Sequence, residues 1–297
     1  MRIMTLDVGG TAVKSGVYCD GTLEDIREYP TEAEKGGGHV VALIESIIKE
    51  YENRHVFTGI GISTAGQVDS VKGRIIYAND NIPGYTGMEI KSIIESRFGK
   101  PAAVINDVNA AALGEARYGA GQGEEDFLCL TYGTGVGGAV FVKGKLYEGS
   151  SFSAGEAGAV VVHPEDRDPG KDIFSGCYER YASVTALVKR ARDYDSSLTN
   201  GRAIFRDLER SGAREIVDEW IREIVYGLTS LIHVLNPSCV ILGGGVMEQE
   251  YVLEKLRELL DIHLMESYRK TTVKKAMLGN CAGMYGAAAH LIETGSL

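Results

Sequence analysis

Two glycine-rich turns carry residue types that can bind phosphate. Gly9-Gly10-Thr11 and Gly133-Thr134-Gly135 each combine glycine with a threonine between two hydrophobic strands. Because glycine allows close approach and positive φ, the backbone N–H groups of such turns can converge on phosphate oxygens. Two of them could hold one polyphosphate, and Asp7, just before the first, could bind Mg²⁺ through water. The alternative is that both are only hairpin turns.

Two familiar phosphate motifs do not fit these turns. Residues 133–138 have the letters of the dinucleotide pattern Gly-x-Gly-x-x-Gly, but that motif needs a helix to begin inside it. The β-rich residues 139–142 predict a strand instead. The first turn is not a Walker loop, because Val13 stands where glycine must precede the lysine.

The elements around the turns repeat. Strands are predicted at 1–7 and 12–18, and again at 126–132 and 139–143, a spacing of about 120 residues. This spacing predicts two similar domains rather than a solenoid, whose period would be ~20 to 50 residues. Helix and strand alternate elsewhere, with helices at 40–51, 108–117 and 217–235 and strands at 59–63, 102–105 and 238–242. We therefore predict an α/β fold with two domains, 1–117 plus 284–297 and 118–283.

Charge and composition restrict the class of partner. The 297 residues are 44% apolar with only 6 prolines, which excludes disordered and collagen-like chains. Lys and Arg total 31 against 41 Asp and Glu, a net charge of −10. Since binding nucleic acid or an anionic membrane requires a basic face, we expect neither as a partner. A cation bound with an anionic substrate remains compatible with this charge.

The cysteine spacing and the N-terminal sequence indicate a reducing compartment. Five cysteines are widely separated with no Cys-x-x-Cys pair, namely Cys19, Cys129, Cys177, Cys239 and Cys281. A disulfide framework is therefore not expected. No apolar run reaches the ~20 residues of a membrane helix, and charge at Asp7 interrupts any signal sequence. We expect a cytoplasmic protein.

Seven segments, taken in order, carry a resemblance that covers nearly the whole chain. They are Leu6-Asp-Val-Gly-Gly-Thr-Ala-Val-Lys14, Asn106-Asp107, Leu130-Thr-Tyr-Gly-Thr-Gly-Val-Gly-Gly138, Ala154-Gly-Glu-Ala-Gly158, Gly176-Cys-Tyr-Glu-Arg-Tyr-Ala-Ser183, Ile241-Leu-Gly-Gly-Gly245 and Leu278-Gly-Asn-Cys-Ala-Gly283. Together they resemble the ROK family of sugar kinases and sugar-responsive repressors. The resemblance implies an actin-like, hexokinase- and ribonuclease H-like ATPase fold, with ATP and a sugar in a cleft between two duplicated α/β domains.

The resemblance also implies roles for individual residues. Asp107 would be the base that takes a proton from the sugar hydroxyl as it attacks the γ-phosphate, with Asn106 binding the sugar. An aspartate that opens a helix can instead be only an N-cap. Glu156 and Glu179 would accept hydrogen bonds from sugar hydroxyls, although each could be a solvated surface glutamate.

Other implied contacts concern the nucleotide and the edge of the sugar pocket. Gly243, Gly244 and Gly245 would approach the nucleoside, while Asp7 and the two glycine turns would hold metal and phosphates. Gly66 and Asn79 align loosely with pocket-lining positions, and for these two a purely structural role is the favoured interpretation.

The chain departs from the family pattern at two positions. Many members have histidine where this chain has Ala159, and a downstream cysteine cluster that binds zinc with it, of which only Cys177 remains. One thiol without that histidine cannot make a four-ligand site, so we expect no zinc, and we interpret His163 as incidental. Zinc-free relatives with a changed residue at this position include β-glucoside kinases, in which the extra room could admit an aglycone or a second sugar, and Ala159 fits that pattern. Cys281 stands where aspartate is frequent near the nucleotide.

We therefore predict an ATP- and Mg²⁺-dependent kinase of a hexose-type primary hydroxyl, most simply O6. The candidate substrates are, in falling order, a β-glucoside, glucose, N-acetylmannosamine and fructose, and a homodimer is usual in such families. A sugar-sensing repressor is the first rival, but its DNA-binding domain would precede Asp7, and only six residues do so here. A non-catalytic sugar or nucleotide sensor is the second rival, which the presence of Asp107 and both turns disfavours.

Overall fold

The chain folds into two compact units. The computed structural model describes residues 1–295, apart from the side chain of Ser211. Unit 1 comprises Met1–Gly123, Glu148–Ala154 and the segment from Asn280 on, and unit 2 comprises Glu124–Tyr147 and Gly155–Gly279. The domain boundaries drawn from the sequence stay a prediction, and the last two residues of the first predicted domain, Ser296 and Leu297, lie outside the described residues.

The strands of unit 1 come first along the chain. They are β1 (Arg2–Val8), β2 (Ala12–Cys19), β3 (Thr22–Pro30), β4 (Gly59–Thr64), β5 (Gln67–Asp69), β6 (Arg74–Tyr77) and β7 (Ala102–Asn106). Unit 2 contains β8 (Phe127–Tyr132), β9 (Val136–Val142), β10 (Lys145–Tyr147), β11 (Cys239–Gly243) and β12 (Thr272–Lys275). The turn between β8 and β9 thus consists of residues 133–135, and β9 begins three residues before its predicted start.

The helices alternate with these strands. They are α1 (Gly37–Glu52), α2 (Ile90–Phe98), α3 (Asp107–Tyr118), α4 (Glu179–Ala182), α5 (Val184–Tyr194), α6 (Gly201–Arg206), α7 (Ser211–Leu235), α8 (Glu250–His263) and α9 (Ala282–Glu293). Short 3₁₀ turns occur at Ala33–Lys35, Ala157–Ala159, Pro164–Asp166, Gly245–Glu248, Glu266–Tyr268 and Gly279–Cys281. Within the described chain, no helix is both long and apolar enough to cross a membrane.

The main sheets of the two units have the same strand order. It is β3-β2-β1-β4-β7 in unit 1 and β10-β9-β8-β11-β12 in unit 2, and β5 and β6 form a separate hairpin. In each main sheet an antiparallel meander of three strands is extended by two parallel strands. The repeated topology confirms the predicted α/β class and the duplication. It also explains why a glycine turn follows the first strand of each unit.

Burial of both sheet faces by helices explains the continuous apolar runs of the central strands. Every residue of β4 is buried, and α9 packs on α3 so closely that a Cβ on Gly286 would lie 1.7 Å from the Ala110 carbonyl oxygen. In unit 2 the long helix α7 buries Trp220 completely. The Trp220 Nε1–H donates to the carbonyl of Ala182 at 2.9 Å, so the polar atom of this buried ring has a partner.

Candidate functional site

Asp107 is the first residue of α3 and follows directly on β7, so the end of a parallel strand presents its carboxylate. Its Oδ1 accepts hydrogen bonds from the Val108 N–H and from the Asn106 side-chain Nδ2–H, both at 2.9 Å. Burial, together with repulsion from the Asp7 carboxylate, raises the pKa of Asp107 to about 6. Asp107 is therefore a carboxylate that accepts a proton more readily than an exposed aspartate.

The N-cap of α3 is Asn106, not Asp107. The Asn106 Oδ1 accepts from the N–H groups of Val108 and Asn109, each at 3.0 Å. Its Nδ2 donates to the Gly66 carbonyl and to the Asp107 carboxylate, each at 2.9 Å. An asparagine amide has two donors and two acceptor lone pairs, so all four positions are used inside the protein. Asn106 consequently fixes the Asp107 carboxylate to the helix start.

Asp7 lies near the end of β1, directly opposite Ser63 of the parallel strand β4. The Ser63 hydroxyl donates to the Asp7 Oδ1 at 2.7 Å. Burial raises the pKa of Asp7, although the bond from Ser63 and the charge of Lys14 oppose the shift. The start of α9 covers the same carboxylate, because a Cβ added to Gly283 would lie 2.6 Å from the Asp7 Oδ1. Neighbouring strands and a glycine without a side chain therefore shape the surroundings of Asp7.

These surroundings fit a hard divalent cation. The Asp7 and Asp107 carboxylates repel each other, and a bound cation would relieve that repulsion. Carboxylate oxygens are the ligands that Mg²⁺ prefers, so Asp7 is the residue that would hold the ion here.

The first glycine turn joins β1 to β2 and is fixed from two sides. The Gly9 N–H donates to the Ala12 carbonyl at 3.0 Å, and the Thr31 hydroxyl donates to the Gly9 carbonyl at 2.7 Å. Gly10 and Thr11 are exposed. A Cβ on Gly10 would meet no atom within 4 Å, so the tip of this turn is open to a ligand.

The two loosely aligned residues differ in their surroundings. Gly66 has a φ of +96°, and a Cβ there would lie 2.8 Å from the Tyr77 carbonyl oxygen, so glycine is required by the backbone. Its carbonyl accepts the Asn106 amide and therefore supports Asp107 indirectly. Asn79 is exposed in the segment between β6 and α2, where its Oδ1 accepts the N–H of Asn81 at 3.2 Å. The structure therefore brings Gly66 to Asn106, whereas Asn79 makes a local turn contact.

The second glycine turn opens into a pocket of about 1240 Å³ that lies entirely within unit 2. The Gly133 carbonyl accepts the N–H of Val184 at 2.9 Å, at the start of α5. The Thr185 hydroxyl donates to the Thr134 carbonyl at 2.8 Å. The turn is thus joined to a helix N-terminus, which favours anions.

Of the predicted nucleotide-binding residues in unit 2, Gly133, Thr134 and Gly245 line this pocket together. Gly243 is the buried last residue of β11. Gly244 has a φ of +107°, and a Cβ there would lie 2.1 Å from the Tyr132 carbonyl oxygen, whereas a Cβ on Gly245 would meet nothing within 4 Å. The first two glycines therefore shape the backbone, and the third leaves open space.

Sequence reasoning missed most of the pocket lining. Helices α5 and α6 contribute a basic and an aromatic side of the wall, namely Lys189, Arg192, Arg202 and Phe205. A sequence signal for them is the spacing of Lys189 and Arg192, three residues apart in α5, which begins after Ser183, whose hydroxyl accepts the Ala186 N–H. Which helix would face the second turn could not be read from that pattern.

Glu179 begins α4 and lies against the second glycine turn. A Cβ on Gly135 would come within 2.7 Å of its Oε2, and one on Gly158 within 3.3 Å. Burial raises the pKa of Glu179, while the Arg180 charge and a hydrogen bond from the Val136 N–H oppose that shift. Glu179 is therefore a part-buried acceptor next to the turn rather than a solvated surface residue.

Glu156 and Ala159 lie at the two ends of one 3₁₀ turn. Glu156 precedes it and is exposed, and its charge contributes to the raised pKa of Glu179. Ala159 is the exposed last residue of that turn. Glu156 and Glu179 are thus close enough in unit 2 for their charges to interact. The turn that begins after Glu156 ends in the methyl side chain of Ala159.

Cys177, His163 and Cys281, which stand out in the sequence, each have their own surroundings in the fold. Cys177 is buried, and the His163 ring contacts Glu223 through Nε2 at 2.8 Å and Glu165 through Nδ1 at 3.0 Å. Among residues 1–295, no three His, Cys, Asp or Glu side chains are grouped so that they could hold a metal ion. Cys281 is half-buried at the start of α9. The expectation of a zinc-free protein stays a prediction.

Comparisons with known proteins agree with this architecture. A sequence model of the ROK family matches residues 3–294. A β-glucoside kinase from Listeria monocytogenes is 32% identical over 305 aligned residues, covering 99% of this chain and 98% of the relative. A ROK hexokinase structure from Thermus thermophilus has a TM-score of 0.83 with 33% identity and covers 99% of both chains. A ROK glucokinase from Streptomyces griseus, solved with glucose and AMPPNP, has a TM-score of 0.82 with 31% identity, covering 97% and 98%.

The similarity extends from β1 to α9 and is not confined to one unit. The structural relatives have the actin-like ATPase fold, which confirms the fold that the seven sequence segments implied. The chain therefore belongs to the ROK family.

Proposed function

We propose that this protein is an ATP- and Mg²⁺-dependent sugar kinase that phosphorylates a primary hydroxyl, O6, of a hexose or β-glucoside. The observation that carries this proposal is Asp107, a carboxylate with a pKa raised to about 6 and fixed by Asn106 at the start of α3. A base of this pKa is mostly ionised at neutral pH and accepts a proton more readily than an ordinary aspartate.

In this reaction Asp107 accepts the proton of the attacking sugar hydroxyl. The hydroxyl oxygen forms the new bond to the γ-phosphorus, and the bond to the β–γ bridging oxygen breaks, so that ADP leaves. General-base assistance contributes ~10² to 10⁴ in rate. Mg²⁺ bound at Asp7 through water would neutralise charge on the transferring phosphate. Gly10 and Thr11, at the open tip of the first glycine turn, offer backbone N–H groups for the same oxygens.

The donor pocket of unit 2 supports ATP as the phosphate source. Its walls combine an aromatic side chain, Phe205, with three cations and the open position at Gly245. An adenosine needs an apolar, concave surface with a few polar groups. Its phosphates would lie at the N–H groups of Thr134 and Gly135 in the second glycine turn, beside the N-terminus of α5, whose dipole favours an anion.

The residues around Ala159 support a sugar acceptor, with a β-glucoside favoured over free glucose. Glu156 and Glu179 would accept hydrogen bonds from sugar hydroxyls, which are stronger when the acceptor is charged. The exposed methyl group of Ala159 occupies less volume than a ring side chain would, and this space could take an aglycone or a second sugar.

An ADP-release assay with Mg²⁺ and ATP tests the proposal. The acceptors are glucose, cellobiose, N-acetylmannosamine and fructose, and the phosphorylated carbon is identified by ³¹P–¹H NMR of the product. We expect stimulation by cellobiose and glucose, with phosphate on O6. Stimulation only by N-acetylmannosamine would replace the assigned substrate. Sugar binding without ADP release by any acceptor would favour the non-catalytic sensor.

We also propose that the kinase acts as a cytoplasmic homodimer without a nucleic-acid or membrane partner. Light scattering coupled to size-exclusion chromatography is expected to give a mass near twice the 32.0 kDa of the chain. A mass of one chain would contradict the dimer. We also propose that the protein binds no zinc, and metal analysis that found stoichiometric zinc would contradict this.

A further inference from the structure

Arg180 connects the Glu179 carboxylate to a second acid in unit 2. Its NH1 donates to the Glu179 Oε1 at 3.1 Å. Its Nε and NH2 donate to the two oxygens of Asp172 at 2.7 and 3.1 Å. A guanidinium bound to both oxygens of one carboxylate has a fixed direction in space. Arg180 therefore reaches Glu179 from a defined position rather than as a freely rotating surface side chain.

Two further contacts fix this arrangement. The Asp172 Oδ1 also accepts the Phe174 N–H at 3.0 Å, which anchors the acid to the backbone. The Arg180 guanidinium lies 5.5 Å from the centre of the Phe174 ring, a distance at which a cation is attracted to the ring face. The acid and the ring thus hold the guanidinium, and the backbone N–H of Phe174 holds the acid.

The groups facing Glu179 explain why it needs such a partner. On the turn side it contacts Gly135 and Gly158, and the Val136 N–H donates to it. Burial raises the pKa of Glu179 most, and the charges of Asp172 and Glu156 raise it further, whereas the Arg180 cation opposes these influences. Without Arg180, the carboxylate would be left among two acids and a single backbone donor.

We propose that Arg180, held in place by Asp172, is a positioning residue that keeps the Glu179 carboxylate oriented to accept hydrogen bonds from the sugar. The inference rests on the proposed function, in which Glu179 binds the acceptor. Arg180 acts through Glu179 and takes no part in proton transfer, so its removal is expected to weaken sugar binding more than turnover.

Steady-state kinetics of Arg180→Gln and Asp172→Asn test this role. We expect Arg180→Gln to raise the KM for the sugar by about tenfold, the change that corresponds to 1.4 kcal/mol, with kcat changed less than about twofold and the KM for ATP unaltered. Asp172→Asn should raise the sugar KM by a smaller factor. Arg180→Lys should recover part of the loss, because lysine retains the charge but not the two-point grip.

The double variant separates positioning from two independent contributions. If Asp172 acts through Arg180, the variant with both changes should have the sugar KM of Arg180→Gln alone. If the double variant instead raised the sugar KM by the product of the two single-variant factors, the role of Asp172 would be overturned. Arg206→Ala is the matched control, because that guanidinium is 80% exposed on α6 and should leave every constant unchanged.

The pH dependence of the sugar KM provides a readout that general destabilisation would not change. Removing Arg180 removes an influence that lowers the pKa of Glu179, so protonation of Glu179 should begin at higher pH. The rise in sugar KM on acidification is therefore expected at higher pH in Arg180→Gln than in the parent or in Arg206→Ala.

An unchanged sugar KM in folded Arg180→Gln, or a fall in kcat alone, would overturn the inference. Failure of the proposed function is a different outcome, in which the parent protein itself phosphorylates no sugar. In that case the dissociation constant of glucose, measured by calorimetry without ATP, still tests whether Arg180 supports binding.

Discussion

The Asn106 side chain donates a hydrogen bond from Nδ2 to the Asp107 Oδ1 at 2.9 Å while its own oxygen caps the helix that Asp107 begins. The proposed base is therefore oriented by the residue that precedes it. The end of β7, the cap of α3 and the carboxylate form one rigid unit, since the same amide also donates to Gly66. Rigid positioning of this kind is what proton transfer at a defined hydroxyl requires.

Replacing Asp107 with asparagine should abolish most turnover and leave sugar binding nearly intact. The amide keeps the size of the side chain but cannot accept the hydroxyl proton, so kcat should fall by ~10² to 10⁴. Calorimetry with glucose should give a dissociation constant close to that of the parent. Asp20→Asn, at an acid that is 74% exposed, serves as the control. Near-normal kcat in the Asp107 variant would show that another group takes the proton.

The same substitution should stabilise the protein at neutral pH. The pKa of Asp107 is raised to about 6 in the folded chain from 3.8, so its ionised form destabilises the fold above pH 6, and this cost disappears as the pH falls through 6 toward 3.8. Asp107→Asn should thus have a higher Tm than the parent at pH 8, by a margin that shrinks on acidification. Thermal unfolding from pH 5 to 8 measures the margin, and a margin that grew on acidification would contradict the raised pKa.

Two replacements of Asn106 separate its role as a helix cap from its role as a donor. Alanine removes both and should cost about 0.5–2 kcal/mol of stability, whereas serine can still accept the N–H groups at the start of α3. Both remove the donation that lowers the pKa of Asp107, so both should shift the acidic limb of the kcat/KM profile to higher pH. Urea unfolding and pH–rate profiles give the two readouts. Equal stability of Asn106→Ala and the parent would refute the cap.

The fold could be predicted from the repeated strand-turn-strand pattern, because strands and turns depend on residues that are close together in the sequence. The central strands are mainly apolar and their glycine turns have a distinct composition, so both units can be recognised from the sequence alone.

Contacts between residues far apart in sequence could not be predicted. The order of Asn106 and Asp107 suggests that either could cap α3, and only the backbone direction at the end of β7 assigns the cap to Asn106. The cations of the donor pocket lie on α5 and α6, and only packing places these helices beside the Gly133-Thr134-Gly135 turn. Arg180 likewise has no sequence signal that relates it to Asp172.

A side chain at Gly283 should displace Asp7. A Cβ at this position would lie 2.6 Å from the Asp7 Oδ1, closer than van der Waals contact allows, so the carboxylate or α9 must move. Gly283→Ala should therefore weaken Mg²⁺ binding, so that a higher Mg²⁺ concentration is needed for the half-maximal rate. Gly38→Ala is the control, because its Cβ would meet nothing within 4 Å in α1, where alanine is the better helix former. An unaltered Mg²⁺ requirement in Gly283→Ala would remove Asp7 from the metal site.

A side chain at Gly245 should obstruct the nucleotide without affecting the sugar. Gly245 lines the pocket of unit 2, and its Cβ would point into space that is empty to 4 Å. Alanine should therefore raise the KM for ATP slightly and valine more strongly, because each added methyl group takes volume from the adenosine site. Glucose affinity in the absence of nucleotide should stay constant across the series. If valine left the KM for ATP unchanged, the nucleoside would have to bind outside this pocket, and the assignment of the second glycine turn to the donor phosphates would fail with it.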